Sequence, residues 1–322
     1  MSPFGFHTPS EELAKSFADR IKGRTFLITG TTASGLGAHA AISLAREAPA
    51  HIILVGRSKA RSQPVIEEIA AVDPSLKVTF VTCELSDFDS VRAAASQIND
   101  DGSIPRIDVV INSAGIMNVL KYTLDKQGYE LTLSSNHLGH FLLTNLIMPK
   151  ILAAGPGSRI VNVSSQGHRI TAFRFEDYNF SGGAAYDGWS AYGQSKTANI
   201  LFSVELARRL AARGIRAYST HPGGIYGTNL TSHLKEIKWD EIEAATMRNT
   251  GREFSHLNDL KTLSEGTSSQ LAAALDPEFD DKSGSFIENC QVSSPLEHAT
   301  DPENARKLWE LTEKLVGQKF DL

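Results

Sequence analysis

"LITGTTASGLGAHAA", Leu27–Ala41, passes from a β-branched apolar run through a turn holding Gly30, Gly35 and Gly37 into alanine-rich sequence. That order predicts a strand, a tight loop and the start of a helix. The first N–H groups of a helix have no partner inside it and can meet a pyrophosphate. The glycine spacing is not G-x-G-x-x-G, so the loop alone is weak evidence for a nucleotide. The rest of the chain has to decide.

From Arg24 onward, "TFLIT", "HIILV", "KVTFVTC", "DVVIN", "RIVNV" and "RAYST" recur as short runs that are apolar nearly throughout. Runs of this kind suit parallel strands buried on both faces. Helical patterns alternate with them at Leu36–Ala48, Pro64–Val72, Ser86–Asn99, Glu130–Leu152 and Tyr192–Arg213, with Ser86 a candidate N-cap. The expected architecture is α/β: a single-domain Rossmann fold over residues 1–322, its doubly wound, mostly parallel sheet carrying helices on both faces. Residues 166–188 and 227–263 interrupt the rhythm as long insertions on the substrate side, candidates for a lid. Phe173, Phe175, Tyr178, Phe180 and Tyr186 in the first either line a substrate wall or pin the insertion to the body.

A net charge of -5 and 41% hydrophobic residues give no sign of a nucleic-acid partner. Two distant cysteines, Cys83 and Cys290, form no metal framework and suit a reducing compartment. The N-terminal sequence lacks a signal-peptide pattern and no stretch is long enough to span a membrane, so the cytoplasm is the expected location. His137 and His140 share a helix face without an acid ligand nearby in sequence, and no metal site is expected.

Four further motifs fall at their places in the strand–helix series: "NSAG" (Asn112–Gly115), "VNVSS" (Val161–Ser165), "YGQSK" (Tyr192–Lys196) and "HPGG" (His221–Gly224), with Thr228 beyond. Together they resemble the short-chain dehydrogenase/reductase family. "NHLGHFLLTNLI", the gap between Ser165 and Tyr192, "GSFIENC" and "ARKLWELTEKL" are most similar to its retinol dehydrogenase and WW-domain oxidoreductase branch. The resemblance covers nearly the whole chain from Ser10. It implies a Rossmann enzyme using NAD(P)(H), and it leaves open a homodimer or homotetramer.

Against the family loop T-G-x-x-x-G-x-G this chain has one residue more, Thr31-Thr32-Ala33-Ser34 standing before Gly35-Leu36-Gly37. The surplus is expected to bulge between Thr31 and Ala33, either as a neutral insertion or with Thr31, Thr32 and Ser34 hydroxyls donating to phosphate. Gly30, Ser34, Gly35, Leu36 and Gly37 would cradle the pyrophosphate. At the end of the second strand, NAD sites carry an acid that binds the ribose 2′-OH. Here Gly56 takes that slot, followed by Arg57, Lys59 and Arg61. A guanidinium pairs with a 2′-phosphate through two parallel hydrogen bonds, so Arg57 and Lys59 point to NADP(H). By resemblance Glu84 and Leu85 flank the adenine, with Glu84 in place of the usual Asp. Asn112, Ala114 and Gly115 would support the adenosine side, and Pro222, Gly223, Ile225 and Thr228 the carboxamide side.

Tyr192 and Lys196 share a helix face. A cation about 4 Å from the phenol, at an effective dielectric of about 20, contributes roughly 4 kcal/mol, or up to ~3 pKa units downward. The resemblance makes Tyr192 the general acid/base, with Lys196 lowering its pKa and holding the nicotinamide ribose. Ser165 would bind the substrate oxygen, and Asn136 a water that passes protons to Lys196. The expected activity is NADP(H)-dependent interconversion of a carbonyl and an alcohol on a hydrophobic or aromatic small molecule. Two other readings are an NADP(H)-binding regulatory or interaction protein with little catalysis, and a redox-assisted epimerase or dehydratase.

Overall fold

The computed structural model describes residues 2–225, 228–234, 236–254 and 259–322. Residues 227, 235 and 255–258, which fall in the second expected insertion, lie outside them. The strands are β1 (Thr25–Thr29), β2 (His51–Gly56), β3 (Lys77–Thr82), β4 (Val109–Asn112), β5 (Arg159–Val163), β6 (Arg216–His221), β7 (Gly224–Ile225), β8 (Leu260–Lys261), β9 (Phe286–Glu288) and β10 (Gln291–Ser293). Eight of them form one sheet in the order β10-β9-β6-β5-β4-β1-β2-β3, while β7 and β8 pair separately. Within the large sheet only β10 runs antiparallel to its neighbour.

Helices α1 (Ser10–Ser16), α2 (Leu36–Ala45), α3 (Lys59–Val72) and α4 (Phe88–Asp100) precede α5 (Leu131–Leu133), α6 (Gly139–Leu146) and α7 (Met148–Ala154). Then come α8 (Gly188–Leu210), α9 (Trp239–Thr250), α10 (Leu263–Leu275) and α11 (Pro302–Val316). The pleat sorts the core into two layers. Leu27, Ile53, Val110 and Ile160 pack on one face with Phe141, Leu201 and Trp309. Phe26, Ile28, Ile52 and Ile111 pack on the other with Leu13, Leu44 and Leu271. β1, β2, β4, β5 and β6 are buried on both sides because each supplies both layers, as their apolar runs require, while β3 at the sheet edge is only partly buried.

Helix boundaries depart from expectation in several places, and α8 begins at Gly188, four residues before the expected start at Tyr192. α3 begins at Lys59 and carries Pro64 inside it. Burial of Val65 and Ile69 along that face offsets the one backbone hydrogen bond proline cannot make. The α4 cap is Asp87, whose carboxylate accepts the Asp89 N–H at 3.2 Å, while Ser86 Oγ donates to Glu84 at 3.0 Å. The helix expected over Glu130–Leu152 is broken: a π-helical turn, Ser134–Leu138, separates α5 from α6, and Ile147 separates α6 from α7. Chain order reverses between β1 and β4, and at that switch point the carboxyl ends of the strands leave a crevice for a ligand.

Candidate active site

The crevice is lined first by the glycine loop. Gly30 has φ +76, and a Cβ there would lie 2.8 Å from the Ala114 nitrogen. A Cβ on Gly37 would run into the Thr29 carbonyl, so α2 can start against β1 only as glycine. Gly35 is the N-cap of α2 and supplies no side-chain cap, which leaves the N–H groups of the first turn directed at the crevice. Leu36 is held from behind, its carbonyl accepting Gln270 Nε2 at 2.9 Å. These are the features a pyrophosphate needs, and the cradle fits a dinucleotide.

The additional residue forms a turn of its own. Gly35 N–H donates to the Thr32 carbonyl at 2.9 Å, and exposed Ser34 takes φ +65. Of the three loop hydroxyls, that of Thr31 is buried and meets Ser62 Oγ at 3.2 Å. The Ala33 carbonyl accepts Asn229 Nδ2 at 2.7 Å, so the bulge reaches the segment beyond β7.

At the adenosine end Arg57 is exposed, its NH1 3.6 Å from Glu84 Oε2. Lys59 and Arg61 are exposed beside it at the start of α3. A Cβ on Gly56 would meet nothing closer than 3.6 Å, so the slot is empty by sequence and not by crowding. Glu84 curls onto Ser86, accepting its hydroxyl at 3.0 Å and its N–H at 3.3 Å. Leu85 is buried, and its carbonyl sits where a Cβ on Gly139 would be.

Asn112 supports the central strand. Its Nδ2 donates to Asn162 at 2.9 Å and Thr144 at 3.0 Å, so it joins β4 to β5 and α6 inside the protein. Ala114 N–H donates to Thr29 Oγ1 at 2.9 Å. Gly115 faces the catalytic end, where an added Cβ would lie 3.3 Å from Asn136 Oδ1 and 3.5 Å from Lys196 Nζ.

At that end four side chains converge. Asn136 sits in the π-helical turn, its amide accepting the Ile116 N–H at 2.8 Å and donating to Ser195 Oγ at 3.0 Å. Ser165 follows β5, accepts the Gly167 N–H at 3.0 Å, and shares the Gly167 neighbourhood with the Tyr192 ring. Ser164 points inward and donates to the Lys196 carbonyl at 2.7 Å. Gly167 is a site residue the motif reading missed: a Cβ there would be 2.7 Å from the Tyr192 ring. Only its position two residues after Ser165 hints at it.

The electrostatics correct the expected direction of the Tyr192 shift. Burial pushes the phenol up to about 12, with the Ser165 hydrogen bond pulling the other way. Burial likewise pulls Lys196 down to about 8. Lys196 Nζ lies 5.5 Å from the Tyr192 ring centroid and donates to the Val163 carbonyl at 3.1 Å. Desolvation sets the direction of the shift for both groups.

Pro222, Gly223 and Ile225 follow β6, and Thr228 leads into the turn at Asn229–Thr231. Gly223 (φ +94) packs on Lys261, and Ile225 occupies space left by Gly266. Around Tyr192 an apolar wall forms from Met117, Ile170 and Trp189 with Ile242, Ala245 and Phe254. α9 thus contributes Ile242 and Ala245 to the cluster that holds Tyr192, and is fastened at its far end by Arg248 to Asp187 at 2.8 Å and by Asn249 to Ser190 at 2.7 Å. The insertion aromatics serve elsewhere. Phe173, Phe175 and Tyr178 pack into the main core, and Phe180 meets Tyr186 edge-on, so they pin the insertion.

Residues 24–239 match the short chain dehydrogenase family model. Human retinol dehydrogenase 13 is 34% identical over 299 residues, 92% of this chain and 86% of that one. A short-chain dehydrogenase/reductase prx1 of Penicillium roqueforti is 31% identical over 93% of this chain and 86% of its own. The crystal structure of an uncharacterised Mycobacterium paratuberculosis protein superposes with TM-score 0.69 at 32% identity, covering 95% of this chain and 98% of that one. With its cradle for a dinucleotide and its Ser165–Tyr192–Lys196 cluster, the chain belongs to the short-chain dehydrogenase/reductase family, oxidoreductases that use NAD(P)(H).

Proposed function

We propose that this protein is an NADP(H)-dependent oxidoreductase that interconverts a carbonyl and an alcohol on a hydrophobic small molecule. The observation that carries the proposal is the convergence of Ser165 with buried Tyr192 and Lys196 at the end of β5, with Lys196 one turn along from Tyr192 and an apolar cluster around its ring. The cofactor, when bound, supplies or accepts hydride. Ser165 holds the substrate oxygen, and Tyr192 delivers its proton to that oxygen in reduction and takes it back in oxidation. A neutral phenol with a raised pKa is in its donating form throughout the neutral range, which suits reduction. Lys196 holds the nicotinamide ribose, and Asn136 holds a water that passes protons to Lys196.

Arg57 supports the NADP(H) preference, because its exposed pairing with Glu84 is worth little and yields readily to a 2′-phosphate. The wall of Met117, Ile170, Trp189 and Phe254 offers few polar partners and selects an apolar substrate. Relatives named as retinol dehydrogenases make retinal a sensible member of the test panel. Two free, buried cysteines suit the reducing cytoplasm.

The test is turnover of NADPH with a panel of apolar aldehydes and ketones, run beside Tyr192→Phe. The variant is expected to bind NADPH as the wild type does while kcat falls by about three orders of magnitude. NADPH bound without turnover across the panel would favour a regulatory protein, and substrate conversion without net NADPH consumption an epimerase or dehydratase.

A further inference from the structure

Two buried histidines stand just beyond the active-site residues in sequence: His140 four after Asn136, and His168 three after Ser165. His140 Nδ1 lies 3.0 Å from the Asn136 carbonyl oxygen, and its Nε2 lies 2.9 Å from Thr29 Oγ1. The Thr29 oxygen already accepts the N–H groups of Ser113 and Ala114, both at 2.9 Å. Its own proton therefore goes to His140 Nε2, and the ring proton must sit on Nδ1 and be donated to Asn136.

His168 repeats the arrangement with a different partner. Its Nδ1 is 2.6 Å from the Ser165 carbonyl, and its Nε2 accepts the Leu296 N–H at 3.3 Å. A backbone N–H can only donate, so the same Nδ1–H tautomer follows. His298 Nε2 adds a hydrogen bond to the His168 carbonyl at 3.0 Å.

We propose that His140 and His168 are positioning residues: each, as the neutral Nδ1–H tautomer, clamps the main-chain carbonyl of one active-site residue and ties it to a distant element. Asn136 is thereby fixed to the end of β1 and the Asn112–Gly115 turn, and Ser165 to the chain around Leu296–His298. The inference rests on the reading of Asn136 and Ser165 as catalytic. Protonation would put a donor at Nε2 against groups that already donate, and no carboxylate stands ready to compensate. The titratable groups acting on His140 are Lys196 and His137, and those acting on His168 are Arg169, His221 and His298. Burial holds the two rings down at about 4 and about 3.

The experiment uses the full chain. Long-range ¹H–¹⁵N correlation spectra of the wild type should show both rings as Nδ1–H tautomers that do not titrate between about pH 5.5 and pH 9. In parallel, His140 and His168 are each changed to Gln, which keeps one donor and one acceptor, and to Phe, which keeps the ring and loses both. The Gln variants should hold kcat within about threefold. The Phe variants should lose at least about tenfold in kcat, with a larger solvent deuterium isotope effect and an NADPH Kd within about threefold. A Phe variant more active than its Gln counterpart would assign these rings to packing and overturn the proposal. So would an Nε2–H tautomer, or titration near pH 6.5. The spectra need no substrate, so they decide the tautomers even if no carbonyl is turned over, and that failure would count against the proposed reaction instead.

Discussion

Arg57 and Gly56 together set the charge that a cofactor ribose would meet at the end of β2. Charge-assisted pairing of a guanidinium with phosphate is worth about 2–3 kcal/mol net. Arg57→Ala is therefore expected to lower kcat/KM for NADPH by about 30- to 100-fold and that for NADH by less than about threefold, measured in steady state with one carbonyl substrate. Equal losses would remove Arg57 from the 2′-phosphate. The catalytic pair teaches a different lesson. A four-residue spacing places Lys196 and Tyr192 on one face, but it cannot say that the ammonium would lie 5.5 Å from the ring centroid and donate to the Val163 carbonyl. Nor can it weigh desolvation of two fully enclosed groups against their mutual attraction.

Among elements, α8 carries the most because Asp187 does several jobs at its start. Its carboxylate accepts the Trp189 and Ser190 N–H groups and the Ser190 hydroxyl, and it pairs with Arg248 of α9. Asp187→Ala should cost about 1–2 kcal/mol for the lost cap, read by urea denaturation. Arg248→Ala should leave stability within about 0.5 kcal/mol, as exposed pairs do, while raising KM for an apolar substrate by loosening α9. A KM unchanged in both variants would mean that α9 does not govern substrate entry. In the glycine loop, deletion of Ala33 removes a residue whose carbonyl faces Asn229 and leaves the first turn of α2 in place. NADPH affinity, measured by fluorescence titration, should weaken by less than about tenfold. A collapse by orders of magnitude would show that the longer loop shapes the phosphate site itself.

The whole molecule stores a vulnerability to acid. His51, His137, His140, His168 and His221 are all buried, and burial holds each of them at about 3 to 4. An unfolded chain binds those protons near pH 6.5. Below that point the unfolded state holds more protons than the native one, so stability falls as pH drops. By about pH 5.5 each histidine has removed on the order of 1 kcal/mol, and the five together several kcal/mol. That rivals the total stability of an ordinary domain, about 5–15 kcal/mol. The midpoint temperature should therefore fall steeply from about pH 6.5 downward, well above the range where carboxylates titrate. A flat profile between pH 7 and pH 5, followed by scanning calorimetry, would mean that these rings are solvated. Lys196 acts in the alkaline window: its folded value near 8 lies below its ordinary 10.5, so its own contribution to stability grows as pH rises from about 8 to about 10, while Cys83 and Cys290, pushed by burial up to about 12, act against it.

The sequence by itself determined the six early parallel strands, because residues buried on both faces, as in all of these but β3, must be apolar. It also determined the order of the glycine loop, the "NSAG" turn and the "YGQSK" helix, because each is a local backbone requirement written in adjacent residues. Short elements escaped it: β9 and β10 have three residues each, too few for any period to register. Tertiary structure alone decided that Asn112 would turn inward, that Glu84 would fold onto Ser86, and that Phe173 would brace the core while Trp189 joins the wall at Tyr192. It alone broke the helix at Ser134–Leu138, which presents Asn136 to Gly115 and leaves its carbonyl to His140. The reason is physical: a side chain's hydrogen bonds and hydration depend on neighbours brought from far along the chain, and those neighbours exist only once the sheet has assembled.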